Sequence, residues 1–317
     1  MPANWEDVHY LQRPAKNIER KMLVDVLSRL ERYRHLGEFH YIGFGSLYFV
    51  DFVTLHRRLG ITRMTSIEEA DDPVDAARVR FNKPFRFVDL RFGHSNATLG
   101  AVNWRRPSIV WLDYTRRVGD EAFADIETVV ARAARPCVLL VTVNADPGPA
   151  DGRLDRFREA VGDDRVPPGF ESDASLARWG TAAAAHRVLT DEIDRRLSIA
   201  NQLAGAAQRT SYRQIVHFRY QDKPRMLTTG GVLHLSSDTR MIEDCRIFDS
   251  PFAVPDGEPA FEIRVPNVTT REIQHMSQRM PKRGAPRFDR IGIRADVAEQ
   301  FRQSSRYFPA FVDADLM

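Results

Sequence analysis

Apolar positions follow helical spacing first and then alternate between strand and helix rhythms. From Asn17 to Tyr33, Met22, Leu23, Val26, Leu27 and Leu30 lie on one helical face. Pro14 stands near the start of this helix and Gly37 just past its end. A strand, Phe39–Phe44, is followed by a helix over Leu47–Leu59 that Gly60 would cap. The alternation continues with ITRMTSIE (61–68), a short helix Asp72–Arg80, and FRFVDLRFG (85–93). SIVWLDY (108–114), a helix over Glu121–Ala134 and the continuous apolar run PCVLLVTVN (136–144) complete it. Strands alternating with helices predict a parallel sheet with right-handed crossovers.

After Asn144 the pattern changes. A loop, ADPGPADG, leads into helical material from Leu154 to about Gln208, broken by VPPG at 166–169. The runs 212–221 and 225–236 flank Asp222-Lys223-Pro224 and predict an antiparallel hairpin. Thr269 to Glu272 matches a capping box, which predicts a helix to about Met280, with a second at Asp296–Arg302. The chain divides accordingly into an N-terminal helical segment (1–37), an α/β domain (38–236) and a small α+β subdomain (237–317). The stretch 145–211 is longer than a minimal crossover requires. It is expected to act as a lid, walling the substrate side of the crevice with the helix 17–33.

FHYIGFGSLYFVDF (39–52) places Gly43 and Gly45 between a strand and a helix. One glycine suffices for a turn; two predict that something approaches the backbone closely. Open α/β sheets bind ligands at the carboxyl ends of their strands, where a helix N-terminus offers free N–H groups. Glu68 ends the second strand, 23 residues beyond Gly45, and suits a ribose diol. Gly93-His94-Ser95 ends the third strand and Asp113-Tyr114 the fourth. A dinucleotide fingerprint would need glycine where Tyr48 stands, and a P-loop Lys is absent.

In this ordered set the chain resembles the class I S-adenosylmethionine-dependent methyltransferases over roughly residues 38–236. The resemblance implies a Rossmann-like fold of parallel strands plus a terminal antiparallel hairpin, and S-adenosyl-L-methionine as cofactor. It implies that Gly43, Phe44, Gly45 and Ser46 meet the methionine part of the cofactor and that Glu68 holds the ribose. Gly93, His94 and Ser95 would flank the adenine, and Asp113 would line the cofactor and face the acceptor. Two positions depart from the family pattern: the turn GFGSLY lacks a third glycine, and His94 replaces the usual acid. Asp113-Tyr114-Thr115 lacks the Pro-Pro-Tyr used on exocyclic amines, which turns the expectation toward an oxygen acceptor. Asp113 and His94 are then the candidate bases. Asp113 could equally cap a helix, and His94 could be a loop residue.

Tyr114, Lys16 and Arg20 are candidate contacts to the substrate. For Tyr114, grouped with Trp104 and Trp111, the alternative is core packing; for Lys16 and Arg20, with Glu19 between them, it is a solvated helix face. Arginine dominates the basic residues, with five lysines among 46, which reflects either coding bias or oxyanion recognition. Residues 13–34 hold seven basic and three acidic residues, and residues 271–306 nine and four. The net charge is only +3, so a small-molecule or nucleotide-like substrate is favoured over nucleic acid. A degenerate module binding nucleic acid or a partner protein stays open as the second reading, as does an oligomer. There are two cysteines without a CxxC spacing, no ligand-spaced histidines, no 18-residue apolar run and no apolar leader. No metal and no membrane contact are expected, and the cytoplasm is the default compartment.

Overall fold

The computed structural model of the chain describes residues 13–202, 204–281, 284 and 286–308; the remainder of the 1–37 and 237–317 segments lies outside the described residues. In chain order the elements are α1 (Pro14–Ser28), β1 (His40–Gly43), α2 (Val50–Leu59), β2 (Arg63–Glu68), α3 (Pro73–Asn82) and β3 (Val88–Phe92). Then follow α4 (Ser95–Gly100), β4 (Ser108–Asp113), α5 (Asp120–Arg132), β5 (Cys137–Asn144), α6 (Arg153–Val161) and α7 (Gly180–Gln202). The chain ends with β6 (Thr210–Gln221), β7 (Arg225–Leu235), α8 (Thr239–Asp244), β8 (Phe261–Ile263), α9 (Thr270–Ser277) and α10 (Ala295–Ser304).

The eight strands form one sheet in the order β3-β2-β1-β4-β5-β7-β6-β8. β1 to β5 pair in parallel, β7 runs antiparallel between β5 and β6, and β8 adds a parallel edge. The order reverses between β1 and β4, so the crevice that open α/β sheets use for ligands lies at Gly43 and Asp113. Strand side chains alternate between two cores. Ile109, Trp111, Val138 and Leu140 pack on one face with α1 and α2, while Val110, Leu112, Leu139 and Val141 pack on the other with α5 and α7.

Three boundaries differ from the sequence expectation. The helix predicted from Leu47 begins at Val50, because Ser46 (φ 54°) and Phe49 (φ 47°) adopt left-handed backbone. α7 packs as a layer against α5 through Ala185, Val188 and Leu189, on the face opposite α1. The 237–317 segment does not separate at its start. Ile242, Ile247, Phe252 and Ile263 join the core around α1, and only Met276, Phe288, Ile293, Ala298 and Phe301 form a cluster of their own. Among the described residues, no helix is long and apolar enough to cross a membrane.

The hairpin strand β7 carries Gly230 and Gly231 deep in the sheet. A Cβ on Gly230 would come within 2.2 Å of the Leu139 carbonyl oxygen, and one on Gly231 within 2.2 Å of the Arg213 carbonyl oxygen. Backbone cannot yield as a side chain can. Gly230→Ala is expected to cost about 3 kcal/mol, seen as a lower urea midpoint with an unchanged slope.

Candidate active site

α1 packs on one face of the sheet, and contacts from distant residues hold its N-terminal turns at the carboxyl ends of the strands. It has no side-chain cap of its own. Asp222, in the β6–β7 turn, supplies the cap: Ala15 N donates to Oδ1 at 2.8 Å and Lys16 N donates to Oδ2 at 3.0 Å. A carboxylate at a helix N-terminus satisfies orphan donors and meets the positive end of the dipole. The next turns carry Lys16, Glu19 and Arg20 into the interior, where all three are buried. The solvated-face reading of Lys16 and Arg20 is therefore incorrect. Both side chains snorkel into the sheet because acids from other elements receive them.

The Lys16 ammonium lies 2.9 Å from Asp113 Oδ1 and 2.8 Å from Glu19 Oε2. It also sits 4.5 Å from the centroid of the Trp111 ring, a cation–π contact. Glu19 Oε1 accepts a hydrogen bond from Thr228 Oγ1. Thr228 and Thr142 share a bond of 2.7 Å, and Trp111 Nε1 donates to Thr142 at 2.9 Å. A continuous polar chain thus runs from Trp111 to Asp113. Arg20 Nε donates to Asp51 Oδ1 at the start of α2. Burial opposes the Arg20 charge, but Asp51 and Asp113 more than offset this and hold it above its ordinary value.

The acids divide by environment. Burial raises the Asp113 carboxyl, but the Lys16 ammonium and then Arg20 outweigh it, so Asp113 is held below its usual range. Burial dominates at Glu19, whose carboxyl is raised despite Lys16 and Thr228. Asp113 keeps part of its side chain exposed at the crevice (16%), whereas Lys16 and Glu19 have none. Asp113 does not cap a helix, since α5 begins only at Asp120.

The glycine turn has an internal explanation. A Cβ on Gly43 would lie 2.5 Å from Tyr41 Oη and 3.2 Å from the Trp111 carbonyl; one on Gly45 would lie 2.5 Å from the Phe49 ring and from Ser66 Oγ. The protein's own packing therefore demands both glycines. Phe49 is bulky and left-handed, a strained state that surrounding contacts must enforce. Glu68 ties the turn down: Gly45 N donates to Oε1 at 2.9 Å, Ser46 N donates to Oε2 at 3.1 Å, and Ser66 Oγ donates to Oε1. Burial pushes the Glu68 carboxyl up to about 7 against these bonds.

The other sequence candidates disperse. His94 is exposed, with Nδ1 2.8 Å from Glu69 Oε1, while Asp113 pairs with Lys16. Ser95 is buried at the start of α4, its Oγ 3.3 Å from Glu121 Oε1. Tyr114 is buried, stacks edge-on with Phe44 at 5.4 Å, and donates to Asp125 Oδ2 at 2.5 Å. It is thus a core residue on the α5 side rather than a free substrate contact. Gly93 bonds back to β2, its N donating to the Glu68 carbonyl at 3.0 Å. Asp51, Thr142, Thr228 and Tyr220 were not legible as site residues. Among the described residues, the buried Tyr220 Oη has no hydrogen-bond partner, and neither do Arg20 Nη1, Asn17 Oδ1 and Ser46 Oγ. Among the described residues no cluster could hold a metal ion.

A Rossmann-like sheet reversing at β1/β4, with an antiparallel β7, brings a glycine turn clamped by a β2 acid beside an acid closing β4. The chain belongs to the family described as "Putative O-methyltransferase", whose model matches residues 8–316. Comparison with curated proteins finds no match. Among solved structures the chain is similar to Trm1 from Pyrococcus horikoshii in complex with S-adenosyl-L-methionine, at 11% identity and TM-score 0.45 over 73% of this chain. It spans 57% of that protein's length. It is also similar to an O-methyltransferase from Bacillus cereus in complex with SAH, at 13% identity and TM-score 0.36 over 68% of this chain and 80% of that one.

Two outcomes test this geometry. Lys16→Met leaves Glu19 and Asp113 facing each other without a cation and is expected to cost about 3–5 kcal/mol. Adding Glu19→Gln should restore most of that loss in chemical denaturation. Glu68 binds a proton more tightly folded than unfolded, between its ordinary 4.5 and about 7. Its contribution is therefore fully present below pH 4.5 and is lost as pH rises to 7 and beyond. Glu68→Gln should remove that slope from stability measured against pH.

Proposed function

We propose that the chain methylates an oxygen of a small acceptor at the carboxyl ends of β1 and β4, with Asp113 receiving the acceptor's proton. The observation that carries this reading is the Asp113 carboxylate at the crevice, backed by the buried Lys16 ammonium at 2.9 Å. S-adenosylmethionine supplies an electrophilic sulfonium methyl, so the protein's tasks are to hold, orient and deprotonate. The turn fits such a cofactor: Ser46 Oγ is buried with no partner among the described residues, and Glu68 Oε2 accepts one bond and has capacity for another. In this reading Gly43, Phe44, Gly45 and Ser46 meet the methionine end, and Glu68 meets a ribose hydroxyl. Gly93 and Ser95 flank the adenine, and exposed His94 stands at the rim.

Lys16 acts through Asp113 and is a positioning residue. It keeps Asp113 ionised across the working pH range, so an acceptor always finds a hydrogen-bond acceptor there. A carboxylate of depressed pKa is a weak base, yet it suffices. As the new carbon–oxygen bond forms, the acceptor oxygen's proton becomes strongly acidic and needs only a nearby recipient. Arg20 Nη1 and Tyr220 Oη, without partners among the described residues, suit further polar groups of the acceptor, including the anionic groups of a nucleotide-like one.

Calorimetry with S-adenosylhomocysteine tests the cofactor half: absence of binding at millimolar ligand would overturn the reading. Transfer of labelled methyl groups into a small-molecule extract tests the rest. Asp113→Asn should lower turnover by about 10²–10⁴. Equal turnover in the variant removes Asp113 from the chemistry.

A further inference from the structure

A second cavity lies at the far edge of the sheet. β6 runs parallel to β5, and the register through β7 puts Tyr212 level with Cys137 at the amino end, whereas Tyr220 is level with Asn144 beside the crevice. An open cavity of about 750 Å³ lies around Tyr212, between α7, β6 and the turn at 255–258. It shares Pro255 and Glu258 with an adjoining cleft of about 600 Å³.

The lining is unbalanced in charge. Arg187 pairs with Asp191 at 3.5 Å, and Arg213 is drawn to Glu243 at 3.3 Å. Among the described residues, no cation pairs with Asp194, Asp256 or Glu258. Burial, and then the charges of Asp191 and Asp256, raise the Asp194 carboxyl, as expected of acids crowded without counter-charge.

The neutral groups are also acceptors. Gln214 Nε2 donates to the carbonyls of Val254 (3.3 Å) and Pro255 (3.1 Å), so its Oε1 is turned toward His186 Nε2, 2.8 Å away. That bond requires the proton on His186 Nε2, which leaves Nδ1 of the neutral ring as an acceptor. His217 stacks on His186 at 3.7 Å and 9°. It is only 8% exposed, and its Nδ1 has no partner among the described residues; nor does Tyr212 Oη. Burial lowers both imidazoles, His217 to about 4, so the pair is neutral at pH 7. An unsatisfied His217 nitrogen, with the His217 ring held near the Glu258 backbone, beside carboxylates that no cation pairs among the described residues, suits a positively charged ligand rich in N–H groups. A bare metal ion does not fit, since no three candidate ligands converge among the described residues. Asp194, Asp256 and Glu258 line one cavity together, and several separate carboxylates suit charges spaced along a chain.

We propose that this cavity binds a small aliphatic polyamine, with its ammonium groups shared among Asp194, Asp256, Glu258 and the His186–His217 pair. The site is separate from the methyl-transfer crevice and does not depend on the acceptor assigned there.

Calorimetry of the full chain with spermidine tests it. One saturable site is expected, with the His186 and His217 ring resonances shifting in step. Asp194→Asn/Asp256→Asn should weaken binding by about tenfold or more while S-adenosylhomocysteine binding is retained. Both positions are exposed, so the variant should fold; Glu258→Gln provides a second variant with the same expected direction. No saturable binding at millimolar spermidine, unchanged affinity in the variants, or equal displacement by Mg²⁺, which would signify diffuse screening only, each overturns the proposal.

Discussion

The buried ammonium of Lys16 is the constraint on which the rest of the site depends. A cation without solvent must be neutralised locally, and two carboxylates from different parts of the chain do this: Glu19 one helical turn away and Asp113 at the end of β4. The demand fixes where α1 lies, because the helix can bury Lys16 only where Asp113 waits. Asp222 adds a second tie from the hairpin, at the helix N-terminus. The leading helix, the reversal point of the sheet and the β6–β7 turn are thereby held in one arrangement. Breaking one member would strand the other charges, which is why such clusters specify geometry more than they add stability.

Strain and burial at the β1–α2 turn act in the same direction. Ser46 and Phe49 hold left-handed backbone while Glu68 gathers the N–H groups of Gly45 and Ser46. A turn that kept ordinary geometry would start its helix earlier and would not present these donors to one carboxylate. The cost is borne by the packing of Phe49 against Phe52 (5.6 Å between centroids) and by the Glu68 bonds. The same carboxylate that would meet a ribose is thus already a structural clamp.

Much of the architecture could be read from the chain. The alternation of strand and helix, the hairpin around Asp222 and the capping box at Thr269, whose side chain accepts from Glu272 N, are set by local spacing. Local spacing also placed Gly43, Glu68, Gly93 and Asp113 at strand ends, since a strand's end is a property of its own residues. The position of Tyr114 was legible, but its partner was not: Asp125 lies eleven residues on, on α5.

Pairing is what the linear pattern could not supply. Lys16, Arg20 and Glu19 look the same on a solvated face as on a buried one, because the periodicity of α1 shows only where its charges lie around the helix. Whether they are wet depends on Asp113, 97 residues away, and on Asp51 and Thr228, at separations of 31 and 209. The glycines at 43 and 45 likewise announced a close approach, but only the folded chain shows that Tyr41, Phe49 and Ser66 make it. The sequence by itself determined the order of the elements and the residues at their ends, because those depend on neighbours along the chain. The tertiary structure alone decided which charges meet, because desolvation and Coulomb energy depend on distances in space.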